Sequence, residues 1–217
     1  MVNRLKSVIA VYTDFTLFHK YENGVLGPGT NITMRNIKSI FKHTMLEKNQ
    51  SLMSFKSIIP ENILSFDPID GNVMFYTKPE MQTLFFSKTL NLDVKPTDKF
   101  KMPFLLWNYK NENLQIFALK RKPTKDTDDL YNAPFMNVSS NGSVCMGNVK
   151  YGQETKYFED LIDDIVFKFY NSIFTHTNNN NLLTINYLHF LKNYKNDKNV
   201  SYANLLVKSN YKIHDLL

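Results

Sequence analysis

The chain has 217 residues and a net charge of +6 at pH 7, and hydrophobic residues make up 43% of it. This length suits one well-buried core and is short for two, and the apolar content excludes a disordered chain. The single cysteine excludes an intramolecular disulfide, and no apolar run approaches the ~18 residues of a membrane span. The first residues also lack the apolar core of a signal peptide. The sequence therefore predicts one cytoplasmic domain over residues 1–217.

The N-terminal part predicts strands followed by a helix. Apolar and polar residues alternate from Val8 to His19, which indicates one long strand or a bent pair. Turn signals follow at Asn23-Gly24 and at Gly27-Pro28-Gly29. After these turns Thr33 can cap a helix that runs to about Thr44.

The middle of the chain is rich in short strands joined by tight turns, an arrangement typical of an antiparallel meander. Trp107 lies in one of these apolar strands, where a core position is favoured over a binding surface. No further regular strand is predicted between the meander and the cysteine. The five predicted strands are residues 63–66, 72–77, 83–87, 104–109 and 114–119.

Helices dominate the last part of the predicted fold. From Lys156 to Phe174 apolar residues recur at helical spacing, and the stripe is wide enough to cover one face of the meander. A second helix is predicted at about 184–194 and a third near 202–208. The predicted fold class is α+β: an antiparallel β-meander packed by helices, with a strand-helix addition before it. The core spans about 33–176, and residues 177–217 form a helical C-terminal extension.

The densest group of positive charges is the segment from Lys120 to Lys125. It is either a site for phosphates or an acidic protein surface, or a solvated loop balanced by the acidic run Asp126–Asp129. No aromatic side chains are interleaved with these charges to stack on bases, which favours the solvated loop. The sequence therefore argues against a nucleic-acid partner.

The segment around the cysteine carries the clearest chemical signal. Asn137 stands eight residues before Cys145 and Gly142 stands three before it, with a Ser-Asn-Gly turn between. The chain must fold back there, and a thiol near a neutral hydrogen-bond donor is what acyl transfer through a thioester requires. The competing interpretation is a buried cysteine that acts as a small hydrophobe. Val144 and Met146 alternate with the cysteine, so the sulfur should point away from them. The spacing alone favours neither the catalytic nor the buried interpretation.

His176, which follows the long predicted helix, is the other polar candidate for a site. It is either functional or a helix C-terminal residue favoured by the helix dipole. The remaining histidines are isolated and show no metal-ligand spacing, so no metal site is predicted. They are His19, His43, His189 and His214.

The layout and the cysteine motif together resemble the ubiquitin-conjugating enzymes. In these enzymes a four-stranded meander leads into an irregular active-site loop, where an Asn precedes the catalytic Cys by eight residues and a Gly precedes it by three. Asn137, Gly142 and Cys145 are similar to that pattern. Eukaryotic members place His-Pro before the Asn, whereas this chain has Phe135-Met136 there.

More of the chain resembles the bacterial relatives of these enzymes, family D, which are found on plasmids and other mobile elements. The pieces occur in order along most of the chain. The similar segments are residues 26–29, 104–107, 116–120, 130–138, 142–147 and 171–176.

This resemblance implies trans-thioesterification. A ThiF-like adenylating enzyme would carry a ubiquitin-like protein as a C-terminal thioester, and Cys145 would take it over. An acceptor amine, whose carrier is not identified, would then attack while Asn137 stabilises the oxyanion, with His176 as a further site residue. No cofactor is implied, since the partner consumes the ATP. The alternative is a catalytically silent scaffold or adaptor of a plasmid maintenance complex whose basic surface meets DNA; the presence of both Cys145 and Asn137 argues against it.

Overall fold

The computed structural model describes residues 7–22, 24–33, 36–37, 52–145, 147, 149–152, 155–176 and 181–217. The chain separates into two compact units, residues 1–51 and 52–217. Each unit has its own sheet, and the single domain predicted over residues 1–217 stays a prediction.

The first unit contains a small antiparallel sheet in which the second strand pairs with the other three. A tight turn joins the first two strands, where the Tyr12 N–H donates to the Phe15 carbonyl at 2.9 Å. The bent pair predicted for Val8–His19 is therefore confirmed. The helix predicted from Thr33 to Thr44 lies largely outside the described residues. The strands are β1 (Ser7–Val11), β2 (Thr16–Glu22), β3 (Val25–Leu26) and β4 (Thr30–Asn31).

The second unit is built on a six-stranded antiparallel sheet with the order β14-β12-β11-β10-β6-β5. Two small two-stranded sheets, β7 with β9 and β8 with β13, lie outside it. The strands are β5 (Ile63–Asp67), β6 (Asn72–Thr77), β7 (Met81–Thr83), β8 (Phe85–Phe86), β9 (Lys99–Lys101), β10 (Phe104–Lys110), β11 (Asn113–Leu119), β12 (Asp129–Asn132), β13 (Ile173–Phe174) and β14 (Lys208–Lys212).

The predicted meander is confirmed for four strands and wrong for one. Strands β5, β6, β10 and β11 are neighbours in the sheet, although the connection from β6 to β10 is long and contains β7, β8 and β9. The strand predicted at 83–87 is instead β8, which pairs in parallel with β13. A short apolar run such as Leu84-Phe85-Phe86 signals burial but does not specify its partner. Strand β12 was not predicted, because it is only four residues long and begins at the last residue of the acidic run 126–129.

The long helix, α1 (Phe158–Tyr170), packs its apolar stripe on one face of the sheet. Trp107 of β10 is fully buried there, with its ring 5.3 Å from that of Phe169, which confirms it as a core residue. The prediction placed the helix end too late: residues 173–174 form β13, and Ile173 is 64% exposed. No helix in the described part of the chain is long and apolar enough to cross a membrane.

The opposite face of the sheet is covered by the C-terminal residues. The second predicted helix is confirmed as α2 (Tyr187–Asn193), with Asn186 as its N-cap, but its Phe190 and Leu191 belong to the apolar cluster on the α1 face. The third is wrong, because the chain continues into β14, whose Ser209 hydroxyl donates to the Leu130 carbonyl at 2.9 Å. Residues 177–217 are therefore not simply a helical extension. The face of the sheet opposite α1 buries Met74, Tyr76, Leu106, Phe117, Leu119, Leu130, Ile213 and Leu216.

Candidate functional site

The cysteine lies at the end of a tight hairpin, residues 137–145, which we call the cysteine hairpin. The Cys145 N–H donates to the Asn137 carbonyl at 2.8 Å, and Val138 pairs with Val144. At the tip, the Ser139 N–H donates to the Ser143 carbonyl at 3.0 Å. The fold-back expected from the Ser-Asn-Gly turn is thus present, and it brings Asn137 and Cys145 opposite one another.

The second arm of the cysteine hairpin also pairs with strand β11. The Val144 N–H donates to the Leu114 carbonyl at 2.9 Å, and the Ile116 N–H donates to the Gly142 carbonyl at 2.8 Å. Gln115 stands opposite Ser143 between these two bonds. The arm is therefore the middle strand of three, with β11 on one side and residues 137–139 on the other.

The two central residues differ in exposure. Cys145 is exposed, whereas Asn137 is 7% exposed and Val144 is buried. This alternation matches the predicted extended segment, although Met146 lies outside the described residues. Because side chains at opposite positions of an antiparallel pair leave the sheet on the same face, the thiol and the carboxamide of Asn137 are neighbours in register. The interpretation of Cys145 as a buried hydrophobe is excluded.

Gly142 is required at the turn for two reasons. Its φ of +80° is a conformation that other residues rarely adopt, and a Cβ there would lie 2.4 Å from the Phe117 ring. The hairpin therefore rests directly on an aromatic ring of the sheet.

We expect Gly142→Ala to destabilise the protein by roughly 2–4 kcal/mol, through backbone strain and displacement of Phe117. The measurement is the urea unfolding midpoint. Gly147→Ala is the matched control, because Gly147 also has a positive φ (+54°) but a Cβ there meets nothing within 4 Å. Equal losses in the two variants would show that the Phe117 contact contributes nothing.

A chain of amides ties the hairpin tip to the sheet. The Asn141 side-chain oxygen accepts from the Ser139 hydroxyl and from the Ser143 N–H. The Gln115 amide donates to the Asn141 carbonyl at 3.1 Å, and the Asn108 amide donates to Gln115 at 3.0 Å. Nothing in the sequence pattern identified Gln115 or Asn108, since their role depends on strand pairing.

Phe135 holds the first arm of the hairpin where the eukaryotic enzymes have a histidine. It is fully buried, and its ring lies 4.8 Å from that of Phe169 on α1 and 6.2 Å from that of Phe174. The Val138 N–H donates to the Phe135 carbonyl at 3.2 Å. Aromatic packing on α1 thus supports the turn that carries Asn137.

Helix α1 also holds the chain after the cysteine. The Gly152 N–H donates to the Asp164 carboxylate at 2.8 Å. Lys168 forms an ion pair with Asp164 at 2.8 Å and donates to the Lys150 carbonyl at 2.8 Å. These polar residues lie outside the apolar stripe of the helix, and the sequence alone assigned them no partner.

The structure does not link His176 to the cysteine hairpin by any described hydrogen bond. Its imidazole is exposed, and its Nδ1 lies 2.8 Å from the Thr175 hydroxyl. Within the described ranges, no three His, Cys, Asp or Glu side chains come together as metal ligands.

Two of the four basic side chains between Lys120 and Lys125 form ion pairs with carboxylates, and a third contacts an aromatic ring. Arg121 pairs with Asp128 at 3.0 Å, and Lys122 pairs with Glu61 at 3.1 Å. The ammonium of Lys120 lies 4.8 Å from the centre of the Tyr131 ring. Hydrogen bonds from the backbone N–H groups of the 124–125 turn and the nearby Arg121 charge hold the pKa of the Asp128 carboxyl below its usual value. These contacts agree with a solvated loop.

The fold and the site define an α+β protein whose exposed cysteine is presented on a hairpin against the sheet, opposite an asparagine. The family model of prokaryotic E2 family D matches residues 36–215, and the chain belongs to this family. E2 denotes the ubiquitin-conjugating enzymes, so membership indicates an E2-like function in the broad sense. A protein with such a function interacts with ubiquitin-like proteins and with activating enzymes. No curated protein and no solved structure matches the chain.

Proposed function

We propose that Cys145 accepts a ubiquitin-like protein as a thioester from a ThiF-like activating enzyme and passes it to an acceptor amine. The observation that carries the proposal is the exposed thiol held opposite Asn137 by the Cys145–Asn137 backbone bond, in a chain of the E2 family D. The proposed chemistry needs no metal or bound cofactor, because exchange between thiols is nearly thermoneutral and the partner enzyme consumes the ATP.

The first step exchanges one thioester for another. The Cys145 thiolate attacks the C-terminal carbonyl carbon of the ubiquitin-like protein, and a new C–S bond forms. The C–S bond to the activating enzyme breaks, and its sulfur leaves as a thiolate. Because exchange between thiols is nearly thermoneutral, a modestly populated thiolate is sufficient.

The second step transfers the acyl group to nitrogen. The acceptor amine attacks the carbonyl carbon, an N–C bond forms, and the carbonyl oxygen becomes an oxyanion. Collapse of this intermediate breaks the C–S bond and returns Cys145 as a thiolate, while the attacking nitrogen loses its proton to water. The Asn137 carboxamide donates to the oxyanion. His176 is proposed as a further site residue on the strength of its exposure and of the resemblance of segment 171–176.

The same proposal assigns the chain to one particular group within the family. Segments 130–138 and 171–176 resemble protein B of the ParB-related, ThiF-related cassette of plasmids and other mobile elements. The ThiF-like partner then belongs to the same cassette. The adaptor alternative, with DNA on the basic surface, is disfavoured because the charges of Arg121 and Lys122 are paired within the protein.

The direct test is reconstitution of loading. The purified chain is mixed with a ThiF-like adenylating enzyme and a small ubiquitin-like protein, both from the proposed cassette, and with ATP. We expect an ATP-dependent adduct on a non-reducing gel that dithiothreitol removes. If no adduct forms although the activating enzyme is itself charged, the proposed function is wrong.

We expect Asn137→Ala to separate loading from discharge. Loading should stay close to wild type because thiol exchange is intrinsically easy, whereas discharge to free lysine should slow ~10²-fold or more. Single-turnover discharge of the isolated thioester gives both rates. Ser140→Ala, an exposed change in the same turn, is the control and should discharge normally. Wild-type discharge by Asn137→Ala would remove Asn137 from the mechanism.

A further inference from the structure

Strand pairing places a second asparagine beside the cysteine. Gln115 of β11 stands opposite Ser143, with the Val144–Leu114 bond next along the ladder. Extended two positions beyond the Gln115–Ser143 bridge, this register brings Asn113, the first residue of β11, opposite Cys145. On the other side Cys145 is bonded to Asn137. In the extended register the three residues form one row, Asn113–Cys145–Asn137, across three adjacent strands.

Side chains in such a row project from the same face of a sheet, with neighbouring Cβ atoms roughly 4.5–5.5 Å apart. Asn113 and Cys145 are both exposed. The extended register thus places Asn137 and Asn113 on opposite sides of Cys145, the first buried and the second open to solvent.

The position of Asn113 is fixed by the turn that precedes it. Asn111 and Glu112 both adopt left-handed conformations, with φ of 51° and 61°, as a two-residue hairpin turn requires. The Asn111 N–H donates to the Asn72 side chain at 2.8 Å, and the Asn113 amide donates to the Asn111 carbonyl at 2.9 Å. A hydrogen-bonded turn therefore fixes the Asn113 carboxamide at the first residue of β11, where one of its N–H groups donates to Asn111.

We propose that Asn113 is a second catalytic amide, which donates a hydrogen bond to the carbonyl oxygen of the acyl group carried on Cys145. This inference rests on the proposed function. When the amine attacks, the new N–C bond leaves the electron pair of the C=O bond on oxygen, and the Asn113 N–H and the Asn137 N–H share that charge. As the C–S bond breaks and the amine proton passes to water, the oxygen returns to a carbonyl. Donors aimed at a developing oxyanion stabilise the transition state more than the ground state.

The position of Asn113 is tested first, without any partner protein. Asn113→Asp puts a negative charge beside the thiol and disfavours the thiolate. We expect alkylation by iodoacetamide at pH 7 to slow roughly three- to fourfold, the size expected for a unit charge ~5 Å away in water. High salt should restore most of the rate. Asn210→Asp, an exposed change on β14, is the control and should alkylate like wild type.

The chemical role is tested with a small acyl group. Because Cys145 is the single cysteine, the thioester of acetyl-glycyl-glycine with 2-mercaptoethanesulfonate charges it alone, and intact mass follows discharge to free lysine. We expect Asn113→Ala to charge normally and to discharge about tenfold more slowly, with partial recovery in Asn113→Gln. Asn210→Ala should match wild type. Urea midpoints check that each variant is folded.

Wild-type alkylation by Asn113→Asp would overturn the placement of Asn113, and wild-type discharge by Asn113→Ala would overturn its role. Neither measurement uses the activating enzyme. A failure of the proposed function, seen as no loading of the wild-type protein, is therefore distinct from a failure of this inference.

Discussion

Cys145→Ala is expected to abolish the adduct with the ubiquitin-like protein completely. Cys145 is the only cysteine in the chain, so no other thiol can form a thioester. Cys145→Ser should at most trap an oxyester, which dithiothreitol does not remove, because an alcohol is a weaker nucleophile and its ester resists thiol exchange. Non-reducing gels with and without dithiothreitol distinguish these outcomes.

One result would contradict the conjugating-enzyme mechanism, and another would show that the loading assay is not specific. An adduct of the Cys145→Ala variant would place the acceptor group elsewhere and leave the adaptor alternative standing. Loss of loading in the Ser140→Ala control would show that the assay responds to any change in the hairpin turn.

Ile165→Asp is expected to unfold the second unit. Ile165 is fully buried under the sheet on the apolar stripe of α1, so the variant loses the packing of an isoleucine and buries a carboxyl group. The combined cost is about 4–8 kcal/mol, comparable with the whole stability of a typical domain. Circular dichroism against urea concentration measures the loss.

Phe167→Asp is the matched control for that helix. It introduces the same charge two residues later, where the side chain is 67% exposed, and should change stability by no more than ~0.5 kcal/mol. A folded Ile165→Asp protein with an unchanged midpoint would show that the stripe does not face the core.

Local patterns were enough to predict the elements that carry the site. The apolar stripe of α1 follows from residue spacing and strand β10 from its short apolar run, and both are found in the structure. The fold-back between Asn137 and Cys145 follows from turn chemistry, because Gly142 supplies a left-handed residue at the tip. These features depend on neighbours in the sequence, which is why the sequence reveals them.

Features that depend on distant strand pairing were missed. Strands β12 and β14 are short and polar at several positions, and only their pairing with each other and with β11 makes them strands. The proposed row that includes Asn113 was missed for the same reason, because Asn113 and Cys145 are 32 positions apart in the sequence. A pairing register of that kind is set by the whole sheet and leaves no local pattern.

The C-terminal residues bear on where the protein can be shortened. The ring of Tyr211 lies 5.6 Å from that of Phe117, the ring on which Gly142 rests, and Ile213 and Leu216 complete the same apolar layer. A chain cut at residue 176 would retain Asn113, Asn137, Cys145 and His176 but lose the outer strand β14 and the apolar side chains that pack on this face beside Phe117. A fragment chosen from the motifs alone would thus keep the site residues but lose the packing that supports the hairpin. The family match extends to residue 215, and an expressed fragment should extend at least that far.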